Sequence, residues 1–217
     1  MKKVLLALPF VVALVAQSDA ATVTLQNFAD TGASARPITS SNGALLPLNT
    51  GSVSIGTFLT LTDGQVSALG AAGRDNLLAD FIAFANSVLS PTRVGDANAF
   101  SISGLYSNSL NQPINPGNTL VGKGIYTFIG NGMTLASSTE IAVVRDNDFF
   151  AVDSPLFQAS ALLHDVQSQT ILIGVPGPAT PVPGLVGTFS SLQLEPVPEP
   201  SSLVLLGLGL VARRRRR

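Results

Sequence analysis

The sequence predicts a mainly β fold: an antiparallel β-sandwich-like domain with one amphipathic helix, preceded by a signal peptide and followed by a short C-terminal hydrophobic helix. Three observations carry that reading. Seven short segments are rich in β-branched and aromatic residues, and several alternate apolar with polar side chains. Gly, Asn, Asp or Pro separates nearly all of them, which is turn chemistry. One longer stretch instead repeats its apolar residues at helical spacing.

Residues 1–20 read MKKVLLALPFVVALVAQSDA. Lys2 and Lys3 precede an apolar run from Val4 to Ala16. Ser18 and Ala20 then place small side chains at the third-last and last positions before a signal-peptidase cut, so the mature chain is expected to start at Ala21. The run is short for a membrane span, which takes about 20 residues.

Residues 21–195 form the expected body. ATVTLQNF (Ala21 to Phe28) alternates Val23 and Leu25 with polar residues, and GSVSIGTFLTL puts Val53 and Ile55 on one face. AFSISGLY (Ala99 to Tyr106) repeats the pattern with Phe100 and Ile102. GIYTFIG (Gly124 to Gly130), TEIAVV (Thr139 to Val144), TILIGV (Thr170 to Val175) and LVGTFSSLQLE (Leu185 to Glu195) complete the strands. Asn131-Gly132 signals a looped hairpin between the fourth and fifth of these.

The helical stretch runs from Thr62 to Ser90. Thr62 and Gln65 have capping-box spacing for a short first turn, which Gly70 and Gly73 should break. The main helix is expected over about 74–90, with Leu77, Leu78, Phe81, Ile82, Ala85 and Val88 as its apolar stripe and Ser90-Pro91 as its stop. It would close one end of the sandwich or lie over a sheet. GVPGPATPVPG (Gly174 to Gly184) reads as a stiff loop inside the domain, because Phe189, Leu192 and Leu194 beyond it need burial.

The charge distribution and the lack of cysteine exclude several functions. Between Ala21 and Pro196 there are five cations against eleven acids, a balance of −6. Such a body does not bind nucleic acid by counterion release. The chain has no cysteine, so disulfides, zinc thiolate sites and thiol nucleophiles are excluded.

The chemistry-bearing residues are sparse. His164, beside Asp165, is the only histidine and the only possible base of a Ser-His-Asp relay, and no G-x-S-x-G elbow accompanies it. No catalytic residue and no cofactor is therefore expected. Asp146, Asp148 and Asp153 form a weak calcium candidate, since Phe150 takes a ligand position and no glycine follows; an Asx-rich turn accounts for them equally well. Glu140 joins these acids as a candidate glycosidase carboxylate, expected to point outward from its strand. Tryptophan is absent, and of the adjacent pair Phe149-Phe150 strand geometry exposes one ring at most.

Residues 196–217 break with the body. Val197-Pro198-Glu199-Pro200 is stiffened by its prolines and cannot continue a helix or a ladder, so it stays accessible. An apolar segment, 203–212, spans about 15 Å as helix, half of a hydrocarbon core of about 30 Å. Arg213, Arg214, Arg215, Arg216 and Arg217 follow and would hold the C-terminus on the cytoplasmic side.

This end resembles the PEP-CTERM sorting signal in its Pro198-Glu199-Pro200, its apolar segment and its arginine cluster, although the apolar run is shorter than in most members. The resemblance implies an exported protein that signal peptidase and an exosortase process, held transiently in the inner membrane of a Gram-negative bacterium and then placed at the cell surface or in extracellular matrix. GSVSIGTF, and YTFIGNG followed by SSTEIAVVRDNDFF, also resemble an uncharacterised β-rich domain found ahead of such signals. The expected function is a non-catalytic surface or matrix protein. The alternatives are a binding module for extracellular polysaccharide, calcium-assisted through Asp146, Asp148 and Asp153, and, less favoured, a polysaccharide hydrolase.

Overall fold

The computed structural model describes residues 21–29, 34–88, 91–152, 158–165, 167 and 169–198. Ser18, Ala20, Asp153, Glu199, Pro200, the apolar segment 203–212 and Arg213 to Arg217 lie outside the described residues. Twelve strands and two helices are described: β1 (Ala21–Gln26), β2 (Ile38–Thr39), β3 (Ser52–Phe58), α1 (Asp63–Leu69), α2 (Arg74–Asp80), β4 (Phe81–Ala83), β5 (Ser107–Gln112), β6 (Gly124–Gly130), β7 (Glu140–Phe149), β8 (Gln158–Leu162), β9 (Gln169–Ile173), β10 (Val175–Pro181), β11 (Thr188–Gln193) and β12 (Glu195–Pro196). The fold is mainly β, as the segments predict.

The central sheet runs β12-β7-β6-β3-β4, with β9 also on β7, and its pairs are antiparallel. Its strands alternate between two apolar faces. Val53, Ile55, Ile125, Ile129, Ala142 and Val144 share one core with Val23 and Leu25 of β1, Ile38 of β2 and Leu192 of β11. Phe58, Tyr126, Phe128, Ile141 and Val143 face the other way, against Val66 of α1 and Leu77 of α2. Every residue of β3 is therefore buried. Two smaller sheets, β5-β1-β8 and β10-β11-β2, cover the first face, and the helices cover the second. β1 alternates buried and half-buried residues, as a sheet with one covered face requires. Two pairs, β1 with β8 and β2 with β11, are parallel.

The helical region departs from the expected helix over about 74–90. The capping box forms as expected: Gln65 N–H donates to Thr62 Oγ1, and Thr62 N–H donates to Gln65 Oε1. Gly70, at φ +56, ends α1. The second helix stops at Asp80, and Phe81–Ala83 becomes β4 on the edge of β3. Two things outweigh the helical stripe. The Asp80 carboxylate accepts hydrogen bonds from Thr60 N–H, Thr60 Oγ1 and Leu61 N–H, which holds the chain at the sheet edge. Phe81 then meets Phe58 and Phe128 edge-on, with ring centroids 5.4 and 5.6 Å away. Past β4, Ser87 continues the pairing with its side chain: its hydroxyl donates to Ile55 C=O and accepts from Ile55 N–H.

Two more expectations are corrected. Ala99 to Tyr106 is not a strand. Ala97–Ala99 is a 3₁₀ turn, and Phe100 and Ser101 follow at φ +54 and +53. Their apolar neighbours serve a separate small core of Phe28, Ala99, Leu105 and Val182, and the strand comes later, as β5. The proline-rich stretch from Gly174 is not a loop. It forms β10, whose carbonyls and few N–H groups pair with β11 through a bulge between Pro176 and Ala179. The expected return of Leu185 to Glu195 into the sheet does occur, as β11 and β12.

Candidate functional site

The first candidate is the junction where the folded body gives way to the proline-rich tail. β12 pairs with the start of β7, Glu195 opposite Ile141 and Pro196 opposite Glu140. One further bond follows, from Val197 N–H to Thr139 C=O at 2.7 Å. Val197 is half-buried against the core beneath the helices. Pro198 has no N–H to donate and is exposed, so the ladder ends there. Glu195 is tied in by its carboxylate, which accepts from Gly174 N–H at 3.0 Å.

The loop between β6 and β7, residues 131–139, frames this exit. Asn131 Oδ1 accepts from Thr139 N–H at 2.9 Å and Glu140 N–H at 3.1 Å, closing the loop on itself. Arg74 Nη1 donates to Ser138 C=O at 2.5 Å, and Arg93 Nη1 donates to Met133 C=O and to Gly51 C=O. Glu140 does not point freely outward as expected. It is half-buried, and its carboxylate accepts from Ser41 N–H at 3.0 Å and Ser41 Oγ at 2.5 Å.

The second candidate lies at the far end of β7. Asp146 is buried, and its carboxylate accepts from Asp148 N–H at 3.0 Å and Gln169 Nε2 at 3.1 Å. Burial pushes its carboxyl above the ordinary range, with those two donors opposing. Asp148 is exposed. The segment is continuous strand, so the expected turn at Asp146 to Asp148 is replaced by an Asx bond within β7. Among the described residues no three His, Cys, Asp or Glu gather as metal ligands, and Asp153 lies outside them.

Asp146 lies six positions along the strand from Glu140, about 20 Å at about 3.3 Å per residue. That exceeds the spacing of a glycosidase carboxylate pair, about 5 to 10 Å. His164 is half-buried in the turn after β8. The aromatic pair divides as strand geometry demands: Phe149 is 54% exposed and Phe150 is 1% exposed. Phe149 has company that sequence reasoning missed. The Arg145 guanidinium carbon lies 5.2 Å from the ring centroids of both Phe149 and Tyr126. Tyr126 Oη donates to Asp63 at 2.5 Å, and burial together with that carboxylate pushes its hydroxyl up to about 12. The only signal for this ridge was the shared face of Arg145 and Phe149 along one strand, which becomes readable once the register to Tyr126 is known.

The segment that leaves the ladder, residues 196–217, matches the model of the PEP-CTERM protein-sorting motif. The chain carries a PEP-CTERM sorting motif. That motif marks an exported protein sorted by an exosortase, in transit through the membrane of a Gram-negative-type system. The match begins at Pro196, inside β12, so the motif starts within the folded edge. No curated protein and no solved structure matches the chain. No helix among the described residues is long and apolar enough to cross a membrane.

Proposed function

We propose that this chain is a non-catalytic protein of the cell surface or extracellular matrix, delivered by its PEP-CTERM motif and cut near Pro198 to Pro200. The supporting observation is the end of the ladder at Val197. β12 and Val197 are held on β7, and the next residue, Pro198, is exposed and has no N–H to extend the ladder; in sequence, the prolines at 198 and 200 favour the extended backbone that a protease takes. Signal peptidase removes residues 1–20, the exosortase removes the arginines, and the β-rich body is what remains outside. Intact-mass measurement of surface-released protein tests this. The expected mass starts at Ala21 and lacks Arg213 to Arg217; released protein that retains the arginines overturns the sorting reading.

A second reading rests on the Arg145 ridge. An exposed Phe149 ring braced by a guanidinium, next to Asn147 and Asp148, offers a stacking face with polar groups beside it, as a polysaccharide-binding module uses. Retention on a glycan array, with and without calcium, distinguishes it. Loss of retention in Phe149→Ala supports this reading, and no retention of the parent protein on any glycan removes it.

A further inference from the structure

We propose that, while the tail is still attached, the end of the body formed by loop 131–139 and turn 47–50 rests on the phospholipid surface as a second, weak membrane contact. The inference rests on the proposed sorting, in which the uncut tail holds the precursor at the membrane, and adds to it a face and an orientation.

The first argument is reach. Pro198 is the last described residue, and four residues, Glu199 to Ser202, separate it from the apolar segment that begins at Leu203. Five Cα steps span at most about 18 Å. A domain of this size has a radius of gyration of about 16 Å and so a width of about 40 Å, more than twice the tether, which therefore cannot turn the opposite end of the body toward the bilayer. The end that carries Val197 is held within a short distance of the headgroups.

The second argument is what that end presents. Residues 131–139, NGMTLASST, carry no charged side chain, and neither do residues 47–50, PLNT. The two segments are joined through Arg93, whose guanidinium donates to both Gly51 C=O and Met133 C=O, and through Asn49 N–H, which donates to Val94 C=O. Each offers one large apolar side chain to solvent, Met133 at 57% and Leu48 at 43% exposure. The charged groups there are Arg93, the pair Arg74–Asp75 at 2.9 Å, and two carboxylates turned into the fold, Glu140 accepting from Ser41 and Glu195 from Gly174 N–H. Uncharged loops with an apolar tip suit shallow burial among lipid headgroups.

The third argument is need. Ten apolar residues cover about half of the hydrocarbon thickness, and one such segment holds a protein weakly. A second shallow contact on the same molecule acts at the high effective concentration set by a short tether.

The absence of native cysteine allows a direct test. Met133→Cys, Asn147→Cys and Gly207→Cys are each made in the full chain and labelled with an environment-sensitive fluorophore. Each is reconstituted in vesicles of phosphatidylethanolamine and phosphatidylglycerol containing a lipid nitroxide near the headgroup. Asn147 is exposed and lies seven strand residues beyond Glu140, about 23 Å away. The expected result is quenching at position 133 at least about threefold stronger than at 147, with position 207 quenched as well. A Gly-Ser insert of about twelve residues between Pro200 and Ser201 should weaken the difference by releasing the orientation. Equal quenching at 133 and 147 with 207 quenched overturns the contact and leaves the tether standing. An unquenched 207 overturns both. Shielding of 133 that grows with protein density but ignores the lipid nitroxide also overturns the proposal and assigns the face to a second copy.

Discussion

Asn27 shows how much one buried amide organises. Its side chain is fully buried, Nδ2 donates to Arg36 C=O at 3.0 Å and Gly104 C=O at 2.8 Å, and Oδ1 accepts from Tyr106 N–H at 2.8 Å. Three segments distant in sequence are thereby fixed at the end of β1. Asn27→Ala removes the donor to Arg36 C=O and the acceptor for Tyr106 N–H, while Gly104 C=O keeps Ile38 N–H at 2.8 Å, and stability should fall by roughly 2 kcal/mol, read from denaturant unfolding. Asp80 contributes through pH. Burial alone would raise its carboxyl, but the donors on Leu61 and Thr60 outweigh that and hold it below the ordinary range. A carboxyl depressed in the fold adds stability that is complete above the unfolded value, near about 3.9, and is lost as pH falls through the lower folded value. The stability difference between the parent and Asp80→Asn should therefore be present at neutral pH and vanish in strong acid. Asp96 and Asp146 act in the opposite direction, since burial raises both carboxyls despite their backbone donors, and their cost is relieved as pH falls.

At the scale of elements, the pairing of β3 with β4 depends on an absent side chain. A Cβ on Gly56 would stand 2.1 Å from Ile82 C=O and 2.9 Å from Ala83 Cα, both backbone. Gly56→Ala should therefore cost about 2 kcal/mol or more and loosen β4 first, seen as lost amide protection over Phe81–Ala83. This pairing also marks where the sequence stops being legible. β6 spans the residues its composition predicts, Gly124–Gly130, and β1, β3, β7, β9 and β11 fall on expected segments, because runs of β-branched and aromatic residues between turn residues leave a direct trace, sharpened in β1 by period-two burial. The helical stripe from Leu77 to Val88 also left a trace, yet long-range pairing turns Phe81–Ala83 into an edge strand, with a 3₁₀ turn at Phe84–Asn86 after it. β5, SNSLNQ, left none: it borders the sheet with polar residues and takes its place from the register to β1. The tail motif was legible because its parts are contiguous; the Arg145 ridge was not, because Tyr126 and Phe149 meet only across strands.

For the whole molecule, the proposed sorting turns on the junction at Val197. Glu199→Gln, or replacement of Arg213 to Arg217 by Ser, should leave unprocessed protein in the inner membrane and deplete the released form, measured by fractionation and intact mass. Neither change reaches the ladder that ends at Val197, so the thermal midpoint of the body should hold. The two cores give that body its independence: the central sheet is covered on both faces without a disulfide. An exposed strand edge lets a β protein join a neighbouring copy strand to strand. β10 meets that hazard with Pro176, Pro178 and Pro181 on a strand that pairs only with β11 among the described residues. A visiting strand would find gaps where donors should be, so this edge is a poor template for a growing fibre.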